Sequence, residues 1–171
     1  MTEDAGVNKS STRRQRMRIA EKYLAMANDF LHTGYYQDAI DHYRKSIKNY
    51  PTPEAYTALG WASAHLGDYD QAIEYCKVAI SLDPDYGNPY GEIGACLIEL
   101  GELDEAAFYL RRAVLARDAD ETHVAYYNLG RVWEARHNFS KALSEYHKAL
   151  EISPAFEPAR QAYYRLVRMM N

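Results

Sequence analysis

One pattern returns four times along this chain, at a spacing that leaves little freedom in how it can fold. Tyr56, Leu59 and Gly60 come back as Tyr90, Ile93 and Gly94, and again as Tyr126, Leu129 and Gly130, with a looser copy at Tyr23, Met26 and Ala27. The marker positions Met26, Leu59, Ile93 and Leu129 are separated by 33, 34 and 36 residues. Each copy is followed by a second segment centred on an alanine: Ala39, Ala72, Ala106 and Ala142. A fixed period of this length signals stacked units, each burying its apolar face only against its neighbours. The expected fold class is all-α, an α-solenoid of antiparallel helix pairs.

The segments within each unit carry helical periodicity. Ile19, Tyr23, Met26, Ala27 and Phe30 fall on one face by i, i+3, i+4 spacing, and Gly34 ends that helix. The next helix turns Ala39, Ile40, Tyr43 and Ile47 inward and stops at Pro51. Pro53 opens the second unit, where a missing N–H costs least; Gly67 makes its turn and Asp70 is a candidate cap. The third and fourth units repeat this, and a ninth helix over about 156–170 places Ala159, Ala162 and Leu166 on one side with arginines on the other. Residues 1–11 are polar and lack periodicity, so they are expected to form a flexible leader, with Ser10, Ser11 or Thr12 capping the first helix.

Composition excludes several classes of function. The formal charge of −4 disfavours a sequence-independent grip on nucleic acid, and the basic run Arg13, Arg14, Arg16 and Arg18 reads as a solvated helix start. No apolar run approaches the ~20 residues a membrane span needs, and the first residues lack the apolar stretch of a signal peptide, so a cytoplasmic location is expected. Cys76 and Cys96 sit in the apolar pattern and read as buried thiols, not as a disulfide. No phosphate-cradling glycine loop, HExxH or nucleophile elbow is present, so no catalytic residue, cofactor or metal is assigned.

Gly60, Gly94 and Gly130 stand inside helices, where glycine costs about 1 kcal/mol against alanine. Close approach between the two helices of a unit explains them, with Ala72, Ala106 and Ala142 as the expected opposing small surface.

These residues resemble the tetratricopeptide repeat family over about residues 20–154, with residues 156–170 similar to its C-terminal capping helix. The second unit carries the fullest match: Tyr56, Leu59, Gly60, Gly67, Asp68, Tyr69, Ala72, Ala79 and Pro84. The resemblance implies a right-handed superhelix of about nine helices in one domain over 12–171. Its repeats would lie at about 20–52, 53–86, 87–122 and 123–156. Two positions depart from the family pattern. Asp118 replaces the usual proline in a connection lengthened through 119–122, and His137 stands where glycine is usual, with Asn138 expected to take the left-handed conformation instead.

In this family the first helices of successive repeats line a concave groove. By that resemblance the groove positions in the first repeat are Leu24, Asn28 and His32, and in the second Thr57, Trp61 and His65. Further on they are Ile98 in the third repeat and Tyr127, Arg131 and Glu134 in the fourth, with Arg165 at the far end. Trp61, Tyr127 and Arg131 are of the types that anchor interfaces, although Trp61 could equally lie covered against a neighbouring helix. The clamp for acidic chaperone tails is not expected. Its cation positions fall on Leu24, Asn88 and Glu92 in one register, and on Thr57, Val124 and Asn128 in the other. His32 and His65, with Glu99 third in line, read as a polar stripe, because packed helices stand ~8–10 Å apart while zinc ligands lie ~2 Å from the metal.

The expected function is a non-enzymatic scaffold or adaptor that holds a protein or peptide segment in the groove, as a monomer or weak homo-oligomer. Two alternatives stay open: a secretion chaperone resembling the type III translocator chaperones, and an architectural protein that stacks on copies of itself.

Overall fold

The computed structural model describes residues 4–116 and 121–170. Among these residues the secondary structure is nine helices: α1 (Asp4–His32), α2 (Tyr36–Asn49), α3 (Pro53–His65), α4 (Tyr69–Leu82), α5 (Asn88–Glu99), α6 (Leu103–Leu115), α7 (Thr122–Ala135), α8 (Phe139–Ile152) and α9 (Glu157–Met170). The all-α expectation holds. Packing divides the chain into two units, Met1–Leu82 and Asp83–Asn171. No helix among the described residues is long and apolar enough to cross a membrane.

In the first unit α1 pairs with α2 and α3 with α4, around a buried cluster of Ala27, Ala39, Ile40, Tyr43, Leu59 and Ala62. A polar contact fixes the first pair: the buried Ser46 hydroxyl donates to the Ala20 carbonyl at 2.8 Å. Thr52 caps α3 by accepting from the Ala55 amide, with Pro53 at the first helical position. Three expectations are corrected. Met26 is 46% exposed, because the buried stripe of α1 runs through Ala20 and Ala27 instead. Helix α1 begins at Asp4, so Ser10, Ser11 and Thr12 lie inside it and none is its cap. Asp70 sits within the first turn of α4, where its charge complements the helix N-terminus. The basic run is partly engaged: Arg13 donates to the Tyr50 hydroxyl at 3.0 Å, and Arg16 to the Lys48 carbonyl at the end of α2.

In the second unit α5 pairs with α6, α7 with α8, and α9 packs on α8. Its cluster is Ala142, Tyr146, Ala162 and Leu166, against which Tyr127, Trp133, Phe139, Leu143 and Tyr163 are packed. The lengthened connection at Asp118 and Ala119 lies outside the described residues.

The intrahelical glycines do mark close approach, but the group they admit differs from the expectation. A Cβ on Gly60 would stand 2.8 Å from Cys76 Sγ and 3.0 Å from the Ala72 carbonyl oxygen. On Gly94 it would stand 2.5 Å from Leu110 Cγ, and on Gly130 it would enter the Tyr146 ring. The space is therefore taken mainly by the side chain one turn beyond each alanine. Cys76 and Cys96 are both buried, as their place in the apolar pattern predicts.

Turns between paired helices need left-handed backbone, which glycine adopts without the steric penalty of a Cβ. Gly34, Gly67 and Gly101 supply it with φ near 80°. In the fourth repeat His137 itself takes φ 56°, not Asn138. Asn138 has φ −95° and caps α8, its side chain accepting from the Lys141 amide at 3.2 Å. Division of labour explains the difference: the asparagine is needed one residue later as a cap.

Candidate functional site

The expected groove residues of the four repeats fall on α1, α3, α5 and α7, and Arg165 on α9. In the first unit Leu24 is half-buried against the core cluster. Asn28 is held from behind, its Oδ1 accepting from the Tyr43 hydroxyl at 2.7 Å. Burial pushes the Tyr43 phenol up to about 12, so it stays a donor at physiological pH.

Trp61, half-buried, sits in a ring cluster. Its centroid is 3.5 Å from that of His65 and 6.0 Å from that of Tyr36 in α2, and His65 and Tyr36 are 4.9 Å apart. Trp61 is not one of the residues packed on the buried cluster of this unit. His32 and His65, both exposed, use Nδ1 in the same way. Each donates to a carbonyl one turn back, of Asn28 at 2.7 Å and of Trp61 at 2.9 Å. A carbonyl only accepts, so Nδ1 carries the proton in each of these bonds. Thr57 is placed differently from the expectation: it is buried, and its hydroxyl donates to the Pro53 carbonyl at 2.8 Å.

In the second unit the polar residues pair with one another. Arg131 on α7 reaches Glu99 at the end of α5 at 2.6 Å and Asn128 on its own helix at 3.2 Å. Glu134 accepts from the Tyr146 hydroxyl at 2.8 Å and from both terminal nitrogens of Arg165 on α9, at 2.7 and 2.8 Å. Burial by itself raises the Glu134 carboxyl, but the Arg165 and Tyr146 hydrogen bonds and the nearby arginine charges more than reverse it. The net shift is below the usual carboxylate range. Ile98 is half-buried. Tyr127 is less free than expected, lying 5.7 Å from the Tyr146 ring and 5.5 Å edge-on from Phe156.

Sequence reasoning missed what stands behind these side chains. Tyr36, Phe156 and Tyr146 lie outside the first helices, and only their register four residues beyond an alanine marks Tyr43 and Tyr146 as a matched pair. The sequence reads Glu92 on α5 only as a clamp position without a cation, and the environment that pushes its carboxyl up to about 8, burial and the charge of Glu121, is not legible there. Above it in the same helix the Cys96 thiol is raised to about 12 by burial and by Glu92, which makes it a poor nucleophile. Among the described residues no group of three His, Cys, Asp or Glu converges to hold a metal ion.

Three family models, each described as the tetratricopeptide repeat, match residues 24–87, 63–126 and 123–156. The chain is 36% identical over 89 residues to the small glutamine-rich tetratricopeptide repeat-containing protein 2 of Saccharomyces cerevisiae, a match over 51% of this chain and 25% of that protein. It therefore spans about a quarter of the length of the first curated relatives it matches. A structure of Pseudomonas aeruginosa pilF superposes with a TM-score of 0.82 at 20% identity, covering 91% of this chain and 71% of that one. That likeness speaks to the fold. YrrB, described as a TPR protein with an unusual peptide-binding site, superposes with a TM-score of 0.64 at 26% identity, over 84% of this chain and 73% of that one.

Proposed function

Because this chain belongs to the tetratricopeptide repeat family, we propose that it is a non-catalytic adaptor whose first-helix faces hold a segment of a partner protein. The observation that carries the reading is the ring cluster of Tyr36, Trp61 and His65. Three rings within 6.0 Å of one another are held at the surface of the first unit, beside the core cluster instead of in it. Large rings restrained in this way give up little conformational freedom on binding, which favours them as anchors.

The polar positions support a mixed guest, not a carboxylate tail. Arg131 is committed to Glu99, and Arg165 to Glu134, so neither cation is left to neutralise an incoming acid. A segment that alternates apolar and hydrogen-bonding side chains, extended or helical, meets this surface best.

Affinity capture from a lysate of the source cells, with quantitative mass spectrometry, tests the reading. The partners recovered by the full chain should drop about tenfold or more with His65→Ala or Trp61→Ala, the size of loss expected for a binding anchor. Partners recovered equally by all three proteins would refute it. Circular dichroism of the variants separates lost binding from lost folding.

A further inference from the structure

Within the second unit, α6, α7 and α8 enclose a cleft of about 280 Å³ that none of the first-helix positions above lines. Its apolar wall is Val114, Tyr126, Leu129 and Trp133, and Arg111, Leu115, Glu145 and Lys148 form the rim. Tyr126, Leu129 and Trp133 recur at i, i+3 and i+7 on α7, on a different face from Tyr127, Arg131 and Glu134.

Leu115 on the rim is 79% exposed, and Phe108, two turns earlier on α6, is 58% exposed. Leu115 lines the cleft and Phe108 shares its face of α6, so two large exposed apolar side chains form a stripe that solvent alone does not favour.

Among the described residues the lining carries two cations, Arg111 and Lys148, and one carboxylate, Glu145, the reverse of the chain's net charge. Lys148 is neutralised by Glu145 at 2.9 Å, and Arg136 by Asp104. Among the described residues no ion pair engages Arg111 or Lys141, and Lys141 lies 4.3 Å from the centre of the Trp133 ring. Among the described residues, Arg111 on the rim and Lys141 beside the Trp133 ring are therefore cations without a carboxylate partner, in a protein of formal charge −4.

We propose that this cleft is a second docking site, which takes one leucine- or phenylalanine-sized side chain from a partner segment whose flanking residues are carboxylates. The apolar side chain enters between Trp133 and Leu129, and the carboxylates meet Arg111 and Lys141. Complementary charge at the rim speeds encounter and excludes basic segments. None of the residues assigned to the first-helix docking face lines the cleft, so the two can be tested apart.

Selection from a phage-displayed random-peptide library on the full chain supplies the probes. Enriched peptides should carry an aromatic or branched aliphatic residue between acidic ones, and should lose about fivefold or more in affinity with Arg111→Glu or with Leu115→Asp. Both positions are exposed, so these variants keep the fold. Arg131→Ala should leave these peptides bound. Four outcomes overturn the proposal: no enrichment, enriched peptides without acidic residues, equal binding to both α6 variants, or concentration-dependent self-association abolished by Leu115→Asp. Peptides that depend on Trp61 or Arg131 alone would uphold the adaptor reading while overturning this one.

Discussion

The ring of Tyr146 on α8 occupies the space into which a Cβ at Gly130 on α7 would project. The same tyrosine donates its hydroxyl to Glu134 one turn further along α7. Its position is thus set by a steric gap at one end and a charged acceptor at the other. Both burial and the bond to Glu134 push the phenol up, which keeps it a donor.

Gly130→Ala should therefore destabilise the protein by about 1–3 kcal/mol, because the buried ring has no free direction in which to yield. Gly91→Ala is the internal control. A Cβ there meets only the Ala113 methyl at 3.9 Å, so the helix propensity of alanine should stabilise by roughly 0.5–1 kcal/mol. Urea unfolding of both variants checks the pair of opposite signs.

Glu92 is expected to make stability fall as pH rises. Its folded value, about 8, lies above the value for an unfolded glutamate, about 4.3, so the folded state holds the proton more tightly. The resulting stabilisation is complete below the unfolded value and is lost progressively up to about pH 8. Glu92→Gln cannot ionise. Its melting temperature should gain on the native protein across that interval and run parallel above it. Parallel curves throughout would show that the Glu92 carboxyl keeps its ordinary value in the folded protein.

Glu134 should act in the opposite sense. Its folded value is depressed, so its contribution is present above about pH 4.3 and lost as pH falls through the folded value. The Arg165 side chain is 56% exposed, which limits the pair to about 1 kcal/mol. Glu134→Gln should cost about that much at neutral pH and nothing in acid. Protease sensitivity of α9, followed by mass spectrometry, should rise with the same substitution.

The turn at His137 shows how far local reasoning reaches. The missing glycine was visible, and so was the need for a left-handed residue near it. Which residue takes that conformation depended on Asn138 being required as the cap of α8, a competition between two local demands that becomes visible only when the helix start is known. Thr57 and Tyr127 were read as facing a partner from their register on the first helix. Register sets the direction of a side chain but not what lies there, and Thr57 proved buried while Tyr127 met Phe156 at the start of α9.

The amino-acid order alone determined the helices, their pairing into repeats and the family, because a period near 34 residues and glycines at fixed positions admit few other packings. Only the tertiary structure decided which charges are spent on each other, such as Arg131 on Glu99 and Arg165 on Glu134, and which remain at a surface. The physical reason is range. Helix formation and repeat stacking depend on neighbours a few residues or one repeat away, whereas burial, ion pairing and clefts depend on residues about 30 apart in sequence brought together by packing.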